Sequence, residues 1–329
     1  MLTRALFLVA LSAAPVIFLG SAPALALELA QPIDCTPGTD CFIQQYVDRD
    51  GGPSAQDYAC GAETYNGHEG TDIRLRTTAD VEKGVAVKAS AAGTVIGLRD
   101  GVEDHLVRSA EDREVIKDRE CGNGVMLDHG NGWKTQYCHM RKGSVAVQKG
   151  DSVAADAKLG EVGYSGDAAF AHVHLQVTKD DKVVDPFLAE DKAACTKDGP
   201  TLWSKEAKAA LSYQEGTVLG LGFADHGLDI AELETGVEMK TPSAQTPMVA
   251  YVWAINLQKG DIIQIALIKD GAVVQNNSDT LDRSKAQFML FAGKKAPQGG
   301  WPKGSYKASA KVSRGGKTVI EEDKTIELN

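Results

Sequence analysis

Between residues 64 and 187, hydrophobic positions form short runs that alternate with polar ones and are separated by Gly-containing turns. Period-two alternation over short runs predicts strands rather than helices. Residues 85–89 and 93–98 read as consecutive strands. Residues 124–128 and 133–138 flank His129-Gly130-Asn131-Gly132, a hairpin signal of the Asn-Gly kind. Residues 158–163 and 172–177 complete a mostly antiparallel set. The stretch 99–120 breaks the pattern with dense charge and reads as a solvated insertion between two strands.

Outside this block the pattern changes twice. Residues 35–60 are rich in Gly, Pro, Asp and Gln around one short apolar segment, 42–47, and read as a lead-in tied down by cysteines. Residues 192–213 have helical composition and read as a linker. Beyond them strand patterning returns at 248–254, 261–269, 286–292, 304–313 and 318–328, at the spacing of a β-sandwich. Gly299-Gly300-Trp301-Pro302 resembles the turn entering a late strand of immunoglobulin-like or fibronectin-like domains. The expected fold is therefore all-β. The expected division is a signal peptide (1–26), a lead-in (27–63), an antiparallel first domain (64–190), a linker (191–216) and an immunoglobulin-like sandwich (217–329).

The first 26 residues carry the signal assignment: Arg4, then an apolar stretch over 5–20, then Ala24-Leu25-Ala26 as an A-x-A cleavage site. Cleavage after Ala26 would give a periplasmic or secreted protein. No second stretch approaches spanning length, so no membrane span is expected after cleavage. A net charge of −10 gives no support to nucleic-acid binding or to an anionic membrane surface as partner. Six cysteines in an exported chain favour disulfides, and none forms a C-x-x-C pair that would hold zinc through thiolates.

Chemistry concentrates in three short motifs: Gly67-His68-Glu69-Gly70-Thr71-Asp72, Tyr137-Cys138-His139 and His172-Val173-His174. Residues two apart on a strand project from one face, so His172 and His174 point into a common space. Two imidazoles on one face, joined by a carboxylate and a third histidine from neighbouring strands, are what an open zinc site requires. His105, His129 and His226 lack such companions and read as surface residues.

The order H-x-x-x-D, then Tyr-x-His at a strand end, then H-x-H resembles the lysostaphin-type (LytM-like) zinc metallopeptidases, peptidoglycan endopeptidases. Supporting residues follow in family order: 85–95, Gly122-Asn123-Gly124, Asp128-His129-Gly130, 147–153 and Val184-Asp185-Pro186. The resemblance covers about residues 64–188. It implies His68, Asp72 and His174 as ligands of Zn2+, and His139 and His172 as catalytic histidines that do not bind the metal. Zinc in such a site lowers the pKa of water to roughly 7 and polarises a carbonyl. It also implies hydrolysis of cell-wall peptide crosslinks. Ala171 stands where the family often has Pro, which alters the approach to the H-x-H strand without losing a ligand. Cys121 and Cys138 border strands that neighbour each other in that fold, so a Cys121–Cys138 disulfide is expected beside His139.

Two other readings compete. His68-Glu69 could open an H-E-x-x-H helix, but position 72 is Asp and Gly70-Thr71 is poor helix material. Some LytM-like proteins have lost their ligands and activate cell-wall amidases without catalysis; retention of all three ligands favours the enzyme. In the sandwich, Asp225-His226 is a tempting polar pair, and Trp253 and Trp301 could stack on sugar or sit buried. The expected role of that domain is support, or binding of wall glycan or a protein partner.

Overall fold

The computed structural model describes residues 27–189 and 195–329. The signal-peptide assignment lies outside the described residues. Among them, no helix is long and apolar enough to cross a membrane.

An antiparallel sheet of eight strands carries the site. Its strands are β1 (Cys41–Gln45), β2 (Thr71–Leu75), β4 (Gly93–Arg99), β5 (Asn123–Gly130), β6 (Trp133–Met140), β7 (Ser152–Val153), β9 (His172–Lys179) and β10 (Lys182–Val183). The order is β1-β2-β9-β6-β5-β4-β7, with β10 paired to β9. A small pair, β3 (Ala86–Lys88) and β8 (Lys158–Glu161), packs beside it. The 85–89 and 93–98 runs are thus strands, but they do not pair: one joins β8, the other β5 and β7. The Asn131-Gly132 hairpin forms as expected, with both residues at positive φ.

Alternation decides which side chains face the core. Ile73 and Leu75 of β2, Val173, Leu175 and Val177 of β9, and Tyr137 of β6 are all buried in one cluster. Asp72 and Arg74, opposite His174 and His172 in the β2–β9 register, occupy the other face. The segment read as a lead-in contributes Leu29, Ile33, Tyr46 and Tyr58 to the same core and adds β1 to the sheet edge. Three disulfides fasten this part: Cys35–Cys41, Cys60–Cys195 and the expected Cys121–Cys138.

The charged stretch after β4 folds back as a short helix, α1 (Ala110–Ile116), capped by Ser109 and Asp112. Helix α2 (Lys205–Ala210) is all that forms of the helical stretch within the described residues. Strands β11 (Thr217–Ala224), β12 (Met248–Leu257) and β15 (Lys285–Lys294) make one sheet. Strands β14 (Ala272–Thr280), β13 (Ile262–Lys269), β16 (Gly304–Arg314) and β17 (Lys317–Leu328) make a second, and both share a core around Val252, Ile265, Leu267 and Tyr306. Helix α3 (Ile230–Thr235), unforeseen in the sequence, starts at the Asp229 cap and stops at Gly236, whose φ is 74°. Trp253 and Trp301 are both buried, which excludes the sugar-platform reading.

The sandwich docks on the sheet face that carries Asp72. Phe42 of β1 joins Leu233, Val249 and Trp253 in a cluster of their own. Arg74, fully buried, donates to Glu234 at 2.9 Å, and its guanidinium lies over the rings of Phe170 and Trp253.

A candidate metal centre

His68, Asp72 and His174 converge from a loop and two adjacent strands. Loop 65–70 is held by Asp48, whose carboxylate accepts from Gly67 N–H at 2.9 Å while its own N–H donates to the His68 carbonyl at 2.8 Å. Asp72 and His174 are direct cross-strand partners. His174 Nδ1 lies 2.8 Å from Asp72 Oδ1 and 3.3 Å from His68 Nε2, and His68 Nε2 lies 3.2 Å from Asp72 Oδ2. Two imidazole nitrogens and a carboxylate oxygen are the donor set of an open zinc site, and the edges of a tetrahedron with bonds near 2.05 Å are about 3.3 Å. The residues present fit the ion.

Tautomers are fixed from outside the cluster. A carbonyl oxygen can only accept, so His68 Nδ1 donates to Tyr46 O at 2.7 Å and Nε2 is left with its lone pair toward the cluster. Gly70 is required at its place: a Cβ there would meet His174 Nε2 at 2.4 Å and the Leu175 carbonyl at 2.8 Å. Burial alone would raise the Asp72 carboxyl, but the surrounding imidazoles of His68, His172 and His174 hold it well below the usual range. A carboxylate that stays ionised in a buried site is the form a metal needs.

His139 and His172 stand beside the cluster with ring centroids 4.5 Å apart. His139 Nδ1 donates to Ser165 O and His172 Nδ1 to Phe170 O, each at 2.8 Å, so both present an unprotonated Nε2. Burial, followed by the neighbouring histidines, depresses His139 well below the ordinary imidazole value. Burial also depresses His172, against the pull of Asp72. Both are neutral at pH 7, ready to accept a proton. His139 sits in the left-handed region at φ 61°, a conformation costly for a residue with a Cβ. The preceding Cys138 is tied to Cys121, whose carbonyl also accepts from His139 N–H at 2.9 Å. Ala171, the departure from the family pattern, gives its carbonyl to Leu75 N–H at 2.9 Å and still delivers His172 to the site.

A cavity of about 550 Å³ opens over these residues. Its lining includes Arg113 from α1 and Asp167, 3.7 Å apart, so the charged insertion, read from sequence as solvated, also borders the cavity. Sequence reading missed Tyr46, Ser165 and Phe170, which act through backbone carbonyls and carry no side-chain signal. It also missed Gln44 and Gln287, which reach the cavity only through tertiary packing. The remaining histidines stay outside: His105 is exposed beside Asp112, and His226 bridges Asp225 and Glu232. His129 is half-buried rather than superficial, bonded to Ala92 O and Thr135 Oγ1 at 2.8 Å each.

Three solved structures illustrate the similarity to known proteins. The SpoIIQ–SpoIIIAH pore forming complex matches at 21% identity over 51% of this chain and 93% of that one, with a TM-score of 0.35. The lysostaphin catalytic domain from Staphylococcus simulans matches at 20% over 43% and 89%, TM-score 0.27. A zinc containing peptidase from Vibrio cholerae matches at 22% over 43% and 38%, TM-score 0.28. The model for peptidase family M23 matches residues 66 to 186, a span that holds all five site residues, and this part of the chain is a peptidase family M23 domain.

Proposed function

We propose that the protein is an exported zinc metalloendopeptidase that hydrolyses peptide crosslinks of bacterial peptidoglycan. One observation carries this reading: a three-donor cluster of His68, Asp72 and His174 presents Asp72 and His174 to a cavity also lined by two neutral histidines whose Nδ1 atoms are engaged by backbone carbonyls. When bound, zinc supplies Lewis-acid polarisation of the scissile carbonyl and a lowered pKa for water. The protein's own groups do the rest. Nε2 of His139 or His172 accepts the proton that the attacking water gives up as its oxygen bonds to the carbonyl carbon. The same imidazolium returns the proton to the amine as the C–N bond breaks.

Seven strands in two facing sheets support the immunoglobulin-like reading of the C-terminal domain, which we assign a supporting and groove-forming role without chemistry of its own. A mass-spectrometric digest of purified peptidoglycan tests the proposal. Wild-type protein is expected to release muropeptides whose masses name the cleaved bond, and His174→Ala none. Equal release by both would refute it. No release by a zinc-loaded wild type would favour the non-catalytic amidase activator.

A further inference from the structure

We infer that the sandwich forms one wall of the peptide groove, and that Gln287 reads an oxygen acceptor of the bound peptide there. This rests on the peptidase reading above. The catalytic sheet face continues from Asp72 to Arg74 without a break, because residues two apart on β2 share that face. Arg74 is where the sandwich docks. Its guanidinium reaches Glu234 of α3, lies over Trp253 of β12, and packs on Phe170, whose carbonyl orients His172. Docking beside the cluster brings the start of β15 against the cavity, where Ala286 and Gln287 line it opposite the sheet's own residues.

The contact is fixed by hydrogen bonds on both sides. Gln44 accepts from Arg74 at 2.8 Å and donates to the Ala286 carbonyl at 2.6 Å, tying β1 to β15. The amide of Gln287 has a set orientation. Trp253 Nε1–H can only donate, and it donates to Gln287 Oε1 at 2.9 Å, so the Gln287 nitrogen is turned away from it. That nitrogen has two protons and no hydrogen-bond partner among the described residues, in a residue that lines the cavity. A donor held by a buried indole is a pre-oriented contact for a peptide carbonyl or carboxylate oxygen, groups that an extended cell-wall peptide offers repeatedly.

Gln287→Glu keeps an oxygen for Trp253 and replaces the donor with an acceptor; Gln287→Leu removes both. Full-length zinc-loaded protein would be assayed on a soluble crosslinked muropeptide, and affinity for the same peptide measured by calorimetry in excess EDTA, where no turnover occurs. A single neutral hydrogen bond is worth roughly three- to tenfold in affinity. Both variants are expected to raise KM by about that factor, with kcat within about twofold, and to weaken calorimetric affinity equally. Unchanged KM and affinity in both variants, or no binding by wild type, would overturn the inference. Binding without cleavage by wild type would refute the peptidase reading alone, and the calorimetric comparison would still decide the role of Gln287.

Discussion

At the scale of the residue, the site depends on groups that have no room to change. Gly70 is the sharpest case, because the His174 ring occupies the space a methyl would need. Gly70→Ala is expected to displace the loop from the Leu175 carbonyl, push His174 off its position, and weaken zinc affinity by about tenfold or more, the scale typical of lost ligand orientation. Competition with a chromophoric chelator measures this; unaltered affinity would show that the ring has slack. The pairing of His172 with His174 was legible because strand spacing puts both on one face, whereas His68, Asp72 and His139 stood out through motifs that resemble the lysostaphin-type peptidases. Their orienting partners were not. Tyr46, Ser165 and Phe170 contribute carbonyl oxygens, which any residue possesses, and only the folded path of the chain brings them to His68, His139 and His172.

Among the elements, the hairpin of β5 and β6 and the H-x-H strand were legible through alternation and the Asn-Gly turn. Strand β1 was hidden in a Gly- and Pro-rich stretch, and α3 is too short to show a helical period. The penultimate residue of strand β6 is under strain. His139 holds its left-handed backbone between a disulfide on one side and the Gly163 N–H, which donates to its carbonyl at 3.0 Å, on the other. The bridge closes a 17-residue separation, for which loop entropy gives about 3 kcal/mol. A Cys121→Ser/Cys138→Ser double variant should lose about that much stability in urea unfolding. Its kcat should fall further than its zinc content, because His139 is not a ligand in this account. Equal losses of zinc and kcat would place His139 among the ligands instead.

Across the whole molecule, the two cores are joined by buried polar contacts that composition could not reveal. Glu63 is one of them, accepting from Asn256 of β12 at 2.9 Å. Burial, and then the nearby charge of Asp57, push its carboxyl up to about 9 from an ordinary 4.5. Folded protein therefore holds a proton on Glu63 that the unfolded chain has lost above pH 4.5. The associated stability is full below that pH and drains away as pH rises toward 9. Glu63→Gln imitates the protonated acid at every pH. Its melting temperature should match wild type near pH 4.5 and exceed it increasingly up to pH 8.5, as followed by calorimetry; parallel pH profiles would contradict an uncharged Glu63.

Three of the five site residues are assigned as ligands and two as proton carriers, so zinc content measured beside muropeptide release tests that division most directly. Purified wild type, His139→Ala and His172→Ala should each carry zinc, while His68→Ala, Asp72→Ala and His174→Ala should carry none. Release should persist in wild type alone, falling roughly 10²- to 10⁴-fold in the two zinc-loaded variants. Zinc retained after loss of Asp72 or His174, or full release without His139 and His172, would contradict the account.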